Sequence, residues 1–392
     1  MAEILTPLPA RPRILLGPGP SEMSPRVAAA LASPLVGHLD PVFLRIMDET
    51  QGLLRRLFRT ENRLTLPMSA TGSGGMETCL VNLLEPGDRA VIGVHGVFGG
   101  RIAEGARRLG AEVFTIEAPW GSPLDPARVI GTIRERRPVL VAVVHAETST
   151  GVLQPLGEIA AACRNEGSLF LVDCVTSLGG FPVEADGWPA DALFSGSQKC
   201  LSCPPGLSPA TFGERALARI RSRRAPIPSW YFDLSLIQRY WGTDRVYHHT
   251  APISMVVALR ESLAMVFEEG LEARFARHAR NAGALVAGLE ALGLALLVPA
   301  PCRLPMLTSV LIPAGVDDAA VRRRLLDEHG IEIGGGLGPL AGKIWRIGLM
   351  GHSSCPENVR AVLSALGRCL ETSGHRCDPR AGIGEADARL RA

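Results

Sequence analysis

Only two lysines occur among 392 residues, Lys199 and Lys343; every other fixed cation is an arginine. A buried primary amine can lose its proton and attack a carbonyl carbon to form a Schiff base, whereas a guanidinium stays protonated. Lys199 ends the stretch Ser195-Gly196-Ser197-Gln198-Lys199, after the apolar run Ala192-Leu193-Phe194 and before a Pro204-Pro205-Gly206 turn. The pentapeptide alone suits a surface or structural lysine equally well, so its meaning depends on what stands near it.

Four other stretches carry candidate chemistry. Asp173 ends the apolar run Leu169–Val172, where an acid is costly without a cationic partner; the alternative is a cap for the next turn. Thr71-Gly72-Ser73-Gly74-Gly75 precedes a helix, so its free N–H groups and hydroxyls could cradle an anion, or it could be a plain turn. It is neither a P-loop nor a dinucleotide fingerprint, since the lysine and the glycine spacing are wrong. Phe98 stands among glycines and needs either a flat partner or a place in the core. His145 and Glu147 could pair as acid and base or could hold loop backbone. An amine, an acid, an anion cradle and an aromatic at one sheet rim together suit pyridoxal 5'-phosphate, with Asp173 holding the ring nitrogen protonated.

Those residues need a frame that brings chain ends together. Strand-like runs at 64–66, 90–94, 113–116, 139–144 and 169–172 alternate with helical stretches at 76–84, 99–109, 126–136 and 156–166. Most of the runs are continuously apolar, which means a sheet buried on both faces: an α/β fold with ligand chemistry at the strands' carboxyl ends. Beyond residue 250 the texture changes to helices at 253–269 and 271–292, strands at 294–298 and 309–312, a helix at 317–329, a glycine loop at 334–338, a strand at 344–349 and a helix at 356–370. The expected organisation is an N-terminal arm over 1–21, a large domain over 22–252, a smaller α+β domain over 253–372, and a polar tail over 373–392, disordered or loosely attached.

Composition narrows the class. A net charge of +2 gives no nucleic-acid or membrane signature. Nine scattered cysteines, including Cys200 and Cys203, fit small core residues in a reducing cytoplasm better than a disulfide frame or a metal site. No apolar window is long enough to cross a membrane.

From Leu15 to Leu370 the chain resembles the class V, fold type I pyridoxal-phosphate aminotransferases, and is similar to the alanine–glyoxylate and serine–pyruvate enzymes among them. The resemblance rests on Leu16-Gly17-Pro18-Gly19-Pro20, Asn82-Leu83-Leu84-Glu85-Pro86-Gly87-Asp88, Ser149-Thr150-Gly151-Val152-Leu153-Gln154-Pro155, Ser195–Lys199, Tyr247-His248-His249-Thr250, Gly335–Pro339 and Arg346-Ile347-Gly348. It implies a large domain built on a mostly parallel, seven-stranded sheet between helices. Lys199 would be the Schiff-base lysine and proton shuttle, and Asp173 the partner of the pyridinium nitrogen. Thr71, Gly72, Ser73 and Gln198 would bind the phosphate, with Tyr247 and Thr250 reaching over from the second subunit of a homodimer. Phe98 would stack on the ring, Thr148 would bond its hydroxyl side, and Arg346 would grip the substrate carboxylate. The implied reaction is ping-pong transamination between a small amino acid, alanine or serine, and a 2-oxo acid, glyoxylate or pyruvate. Three alternatives are kept: a related enzyme of specialised biosynthesis, desulfurase or lyase chemistry at a thiol such as Cys355, and a cofactor-free α/β binding protein.

Overall fold

The apolar runs between residues 64 and 212 assemble because each is too short and too hydrophobic to stand alone. The computed structural model describes residues 12–391. Its larger sheet has seven strands in the order Leu64–Met68, Ser208–Phe212, Ala192–Phe194, Leu169–Asp173, Leu140–Val144, Arg89–Val94, Glu112–Glu117. Six run the same way; Ser208–Phe212 alone runs against both its neighbours. Every residue of the five strands from Leu64–Met68 through Leu140–Val144 in that order is buried, as expected for a sheet covered by helices on both faces. The helix Pro126–Arg136 shows how crossovers are punctuated: Asp125 caps it, and Pro126 opens it at a position whose N–H would be unbonded anyway.

A second sheet of four strands is ordered Ile14–Leu16, Ile331–Gly335, Ile344–Gly348, Leu307–Leu311. Its own core joins Trp345 and Ile347 to Leu285 and Leu289 of the helix Leu271–Ala291 and to Leu363 and Leu366 of the helix Pro356–Thr372. Ile14–Leu16 comes from the expected N-terminal arm and pairs in parallel with Ile331–Ile333. That tether starts the Gly17–Pro20 stretch on a fixed line across the larger sheet's rim. Residues 1–11 of the arm lie outside the described residues.

Several expectations need correction. The tail is not loose: Pro379–Arg391 is a helix lying on Leu271–Ala291 and Pro356–Thr372. Its contacts are made by small residues, which give almost no hydrophobic period. A Cβ on Gly382 would come 2.9 Å from Leu292 Cγ, and one on Gly288 would come 2.7 Å from the Gly382 carbonyl. Ile383 and Leu390 complete the seam against the same core. Residues 294–298 make only a single bridge, Leu296 to Val310. Gly334 and Gly335, expected in a loop, end a strand and pair with Arg346 and Trp345. A Cβ at Gly334 would lie 2.5 Å from Pro18 Cδ, so glycine serves close approach there rather than flexibility. The helix expected from Met76 starts at Gly72, which turns the glycine stretch from a loop into a first helical turn.

Candidate active site

Five of the six co-directional strands deliver their next residues to one rim. Thr71 follows Leu64–Met68, Phe98 follows Arg89–Val94, Thr148 follows Leu140–Val144, Asp173 ends its own strand, and Lys199 follows Ala192–Phe194. A cavity of about 190 Å³ opens among them, lined by Thr71, Gly72, Ser73, Phe98, Thr148, Asp173, Gln198 and Lys199. Eight of the eleven residues expected in the site thus share one cavity.

Lys199 is 8% exposed, and its Nζ donates to the Pro18 carbonyl. The loop carrying it is laced to the arm: Ser21 N donates to Gln198 O at 2.9 Å, and Ser21 Oγ donates to Lys199 O at 2.6 Å. Burial pulls the ammonium down to about 8, against smaller upward pulls that include Asp173. Asp173 Oδ1 accepts from Val175 N at 2.9 Å, and burial pushes its carboxyl up to about 7. With Val175 N as its single hydrogen-bond donor among the described residues, this acid is short of a cation.

Glu147 and His145 do not pair. Glu147 is fully buried and holds loop backbone, accepting from Phe98 N at 3.1 Å, Gly99 N at 3.4 Å, Ser149 N at 3.0 Å and Ser149 Oγ at 2.6 Å. It caps the helix Val97–Arg108 in place of Gly96, which has no side chain to do so. His145 Nδ1 lies 2.9 Å from Ser177 Oγ, and its ring packs edge-on to Trp188 at 4.8 Å; burial pulls it down to about 3. It is a neutral core histidine.

Arg346 does not line the cavity. It is 5% exposed, with Nη1 donating to Thr148 O at 3.0 Å and Nε to Gly335 O at 2.7 Å. Tyr247 and Thr250 also lie elsewhere, on an outer loop where their hydroxyls are 3.3 Å apart and Tyr247 is 54% exposed. Cys200 and Cys203 are buried; the Cys203 thiol donates to Ala258 O at 3.6 Å.

The model of the aminotransferase class-V family matches residues 25–362. The chain belongs to that family. It is 44% identical over 382 residues to the (S)-ureidoglycine–glyoxylate transaminase of Bacillus subtilis, covering 93% of this chain and 91% of that one. The crystal structure of the Bacillus subtilis ureidoglycine–glyoxylate aminotransferase superposes with a TM-score of 0.96 over all of both chains. An alanine–glyoxylate aminotransferase structure from Nostoc sp. is 50% identical, with a TM-score of 0.92 over 93% of this chain and 97% of that one. The alanine–glyoxylate aminotransferase of Oryctolagus cuniculus is 42% identical over 93% of this chain and 94% of its own. This chain is an aminotransferase of fold type I, and its family uses pyridoxal phosphate.

The residues present fit that cofactor. Gln198 Oε1 is buried without a hydrogen-bond partner among the described residues, beside the helix start Thr71–Ser73. A Cβ at Gly72 would come 3.2 Å from Val175 Cγ2 and fill part of the cradle. Asp173 lacks a cation, and Lys199 lines the same cavity. Sequence reasoning missed Arg101, Met76, Val175 and Thr176 in the lining. Arg101 was discoverable: it stands one helical turn after Phe98, and its guanidinium lies 4.9 Å from that ring's centre.

Proposed function

We propose that this class-V aminotransferase moves an amino group from a small amino acid, alanine or serine, to a small 2-oxo acid, glyoxylate or pyruvate, with glyoxylate favoured as the acceptor. The observation carrying the reading is the meeting of a depressed amine and an unpaired buried acid in one cavity that opens at a helix N-terminus. The glyoxylate preference rests on the names of the relatives, which share that acceptor while differing in donor.

When bound, pyridoxal phosphate supplies an aldehyde carbon and an electron-withdrawing ring. Lys199 would bond that carbon and, once released, hold the substrate Cα proton and return it; an amine brought to about 8 is near neutral pH and suited to both. Asp173 would hold a proton on the ring nitrogen. Thr71, Gly72, Ser73 and Gln198 would take the phosphate, Phe98 one ring face, and Thr148 the ring hydroxyl. Arg346 would clamp the substrate carboxylate, its fork already oriented by the Thr148 and Gly335 carbonyls.

Tyr247 and Thr250 would complete the phosphate site of a second copy. Tyr247, Trp230 and Leu35 are large, exposed and apolar, as a homodimer face would be before assembly. A cytoplasmic setting is supported by nine unpaired cysteines. Desulfurase chemistry at Cys355 has no such support. That residue stands at a helix start without its thiol capping it, burial pushes the thiol up, and it does not line the Lys199 cavity.

Borohydride reduction followed by peptide mapping tests the site, and a donor–acceptor panel tests the substrates. A pyridoxyl group on Lys199 with glyoxylate-dependent turnover is expected. A label at Lys343, or sulfide release from cysteine in place of amino transfer, would refute the reading.

A further inference from the structure

A second cavity, of about 220 Å³, lies between the helix Leu271–Ala291 and the strand Leu307–Leu311. Its walls are mostly aliphatic, with Ala282, Val286, Leu296 and Leu304 among them, and among the described residues Arg303 is the one charged side chain lining it. It shares no lining residue with the Lys199 cavity. One wall nonetheless belongs to the catalytic rim, because Gly151 closes the turn that begins at Thr148.

Ser309 also lines this cavity and is 3% exposed, yet its Oγ has no hydrogen-bond partner among the described residues. A Cβ added at Gly151 would come 2.9 Å from that oxygen, so the hydroxyl faces the Gly151 wall. Buried hydroxyls are normally satisfied, and one left unbonded on a residue that lines a cavity points to a missing partner. Size sets what the partner is: an apolar protein cavity of about 150 Å³ holds a benzene ring.

We propose that this cavity binds a small apolar molecule, one ring or a branched chain of similar bulk, carrying a single hydroxyl or carboxyl group that bonds Ser309. Arg303 is already engaged by the Val298 carbonyl at 2.8 Å and by Glu290 at 3.7 Å, so it sets no charge preference for the ligand. Ser309 stands directly opposite Arg346 in the antiparallel ladder, so the two side chains leave the sheet on the same face. Arg346 bonds the Thr148 carbonyl. The ligand therefore lies across the 148–151 turn from the catalytic centre, with that turn as the shared wall.

The test is fluorine NMR of 4-fluorophenol with the holoenzyme, its active site first blocked by aminooxyacetate. The blocking step has its own absorbance change, so failure of the cofactor reading would show separately. Saturable binding is expected, about tenfold tighter than that of fluorobenzene, which lacks the hydroxyl. Ser309→Ala should bring 4-fluorophenol down to the fluorobenzene level, and Ala282→Phe should abolish binding of both. Should the bulky variant fail to fold, the Ser309→Ala comparison stands alone. Absence of saturable binding to the blocked enzyme, or an affinity that Ser309→Ala leaves unchanged, overturns the proposal.

Discussion

Asp173→Asn should stabilise the protein stripped of its cofactor while weakening its hold on that cofactor. The carboxyl rises from an ordinary 3.8 to about 7 because it is buried with one N–H and no cation. At about 1.4 kcal/mol for each tenfold in proton affinity, that corresponds to about 4 kcal/mol. The sign follows from linkage. Below pH 3.8 the acid is protonated folded and unfolded alike, and costs nothing. Between 3.8 and about 7 the unfolded chain ionises first, so the wild-type apoprotein loses stability as pH rises. Above about 7 the penalty is constant. Asparagine keeps the carbonyl that accepts from Val175 N and does not titrate. In urea melts of the apoproteins, the advantage of the variant should therefore grow from pH 4 to pH 8 by up to about 4 kcal/mol. With cofactor present the order should reverse, since the ring cation then pairs with the acid. A gap that stays flat across that window would refute the claim that Asp173 is an unpaired buried acid awaiting a cation.

Gly19 has φ +104, and a Cβ there would lie 2.6 Å from Lys199 Nζ. Gly19→Ala should cut turnover at least tenfold and shift the absorbance of the bound cofactor, with the melting temperature changing far less. Arg274 is 7% exposed and donates to the Gly179 and Cys200 carbonyls and to Glu269. Arg274→Ala should cost about 3 kcal/mol in chemical denaturation by stranding those carbonyls. Deleting residues 379–392 uncovers Leu292 and the glycine seam, and should lower the melting temperature by several degrees and promote aggregation, while leaving the KM for the oxo acid unaltered.

Most of the large sheet was legible because most of its strands are continuously apolar runs that alternate with helical stretches, and such runs have few other uses. Lys199 stood out by scarcity and Asp173 by its place at the tip of an apolar strand. What escaped is what small residues do. Gly334 and Gly335 look like a loop in sequence, yet they are strand residues, and Gly334 is kept bare so that Pro18 can come close. The final helix escaped for the same reason, as Gly382 and Ala386 leave no periodic apolar signal. Ser208–Phe212 was missed because Ser208, Pro209 and Thr211 disguise a strand buried throughout. Arg346 stood out as a residue but not as a place: only the fold shows its guanidinium spoken for by two carbonyls.

The strand Ile14–Leu16 has a consequence for how the protein is born. Its partner, Ile331–Ile333, leaves the ribosome some three hundred residues later, and the Pro18 carbonyl that meets Lys199 hangs from that pairing. A nascent chain can lay down the large sheet and its rim early, but the flap over the reactive amine stays unfastened until synthesis is nearly done.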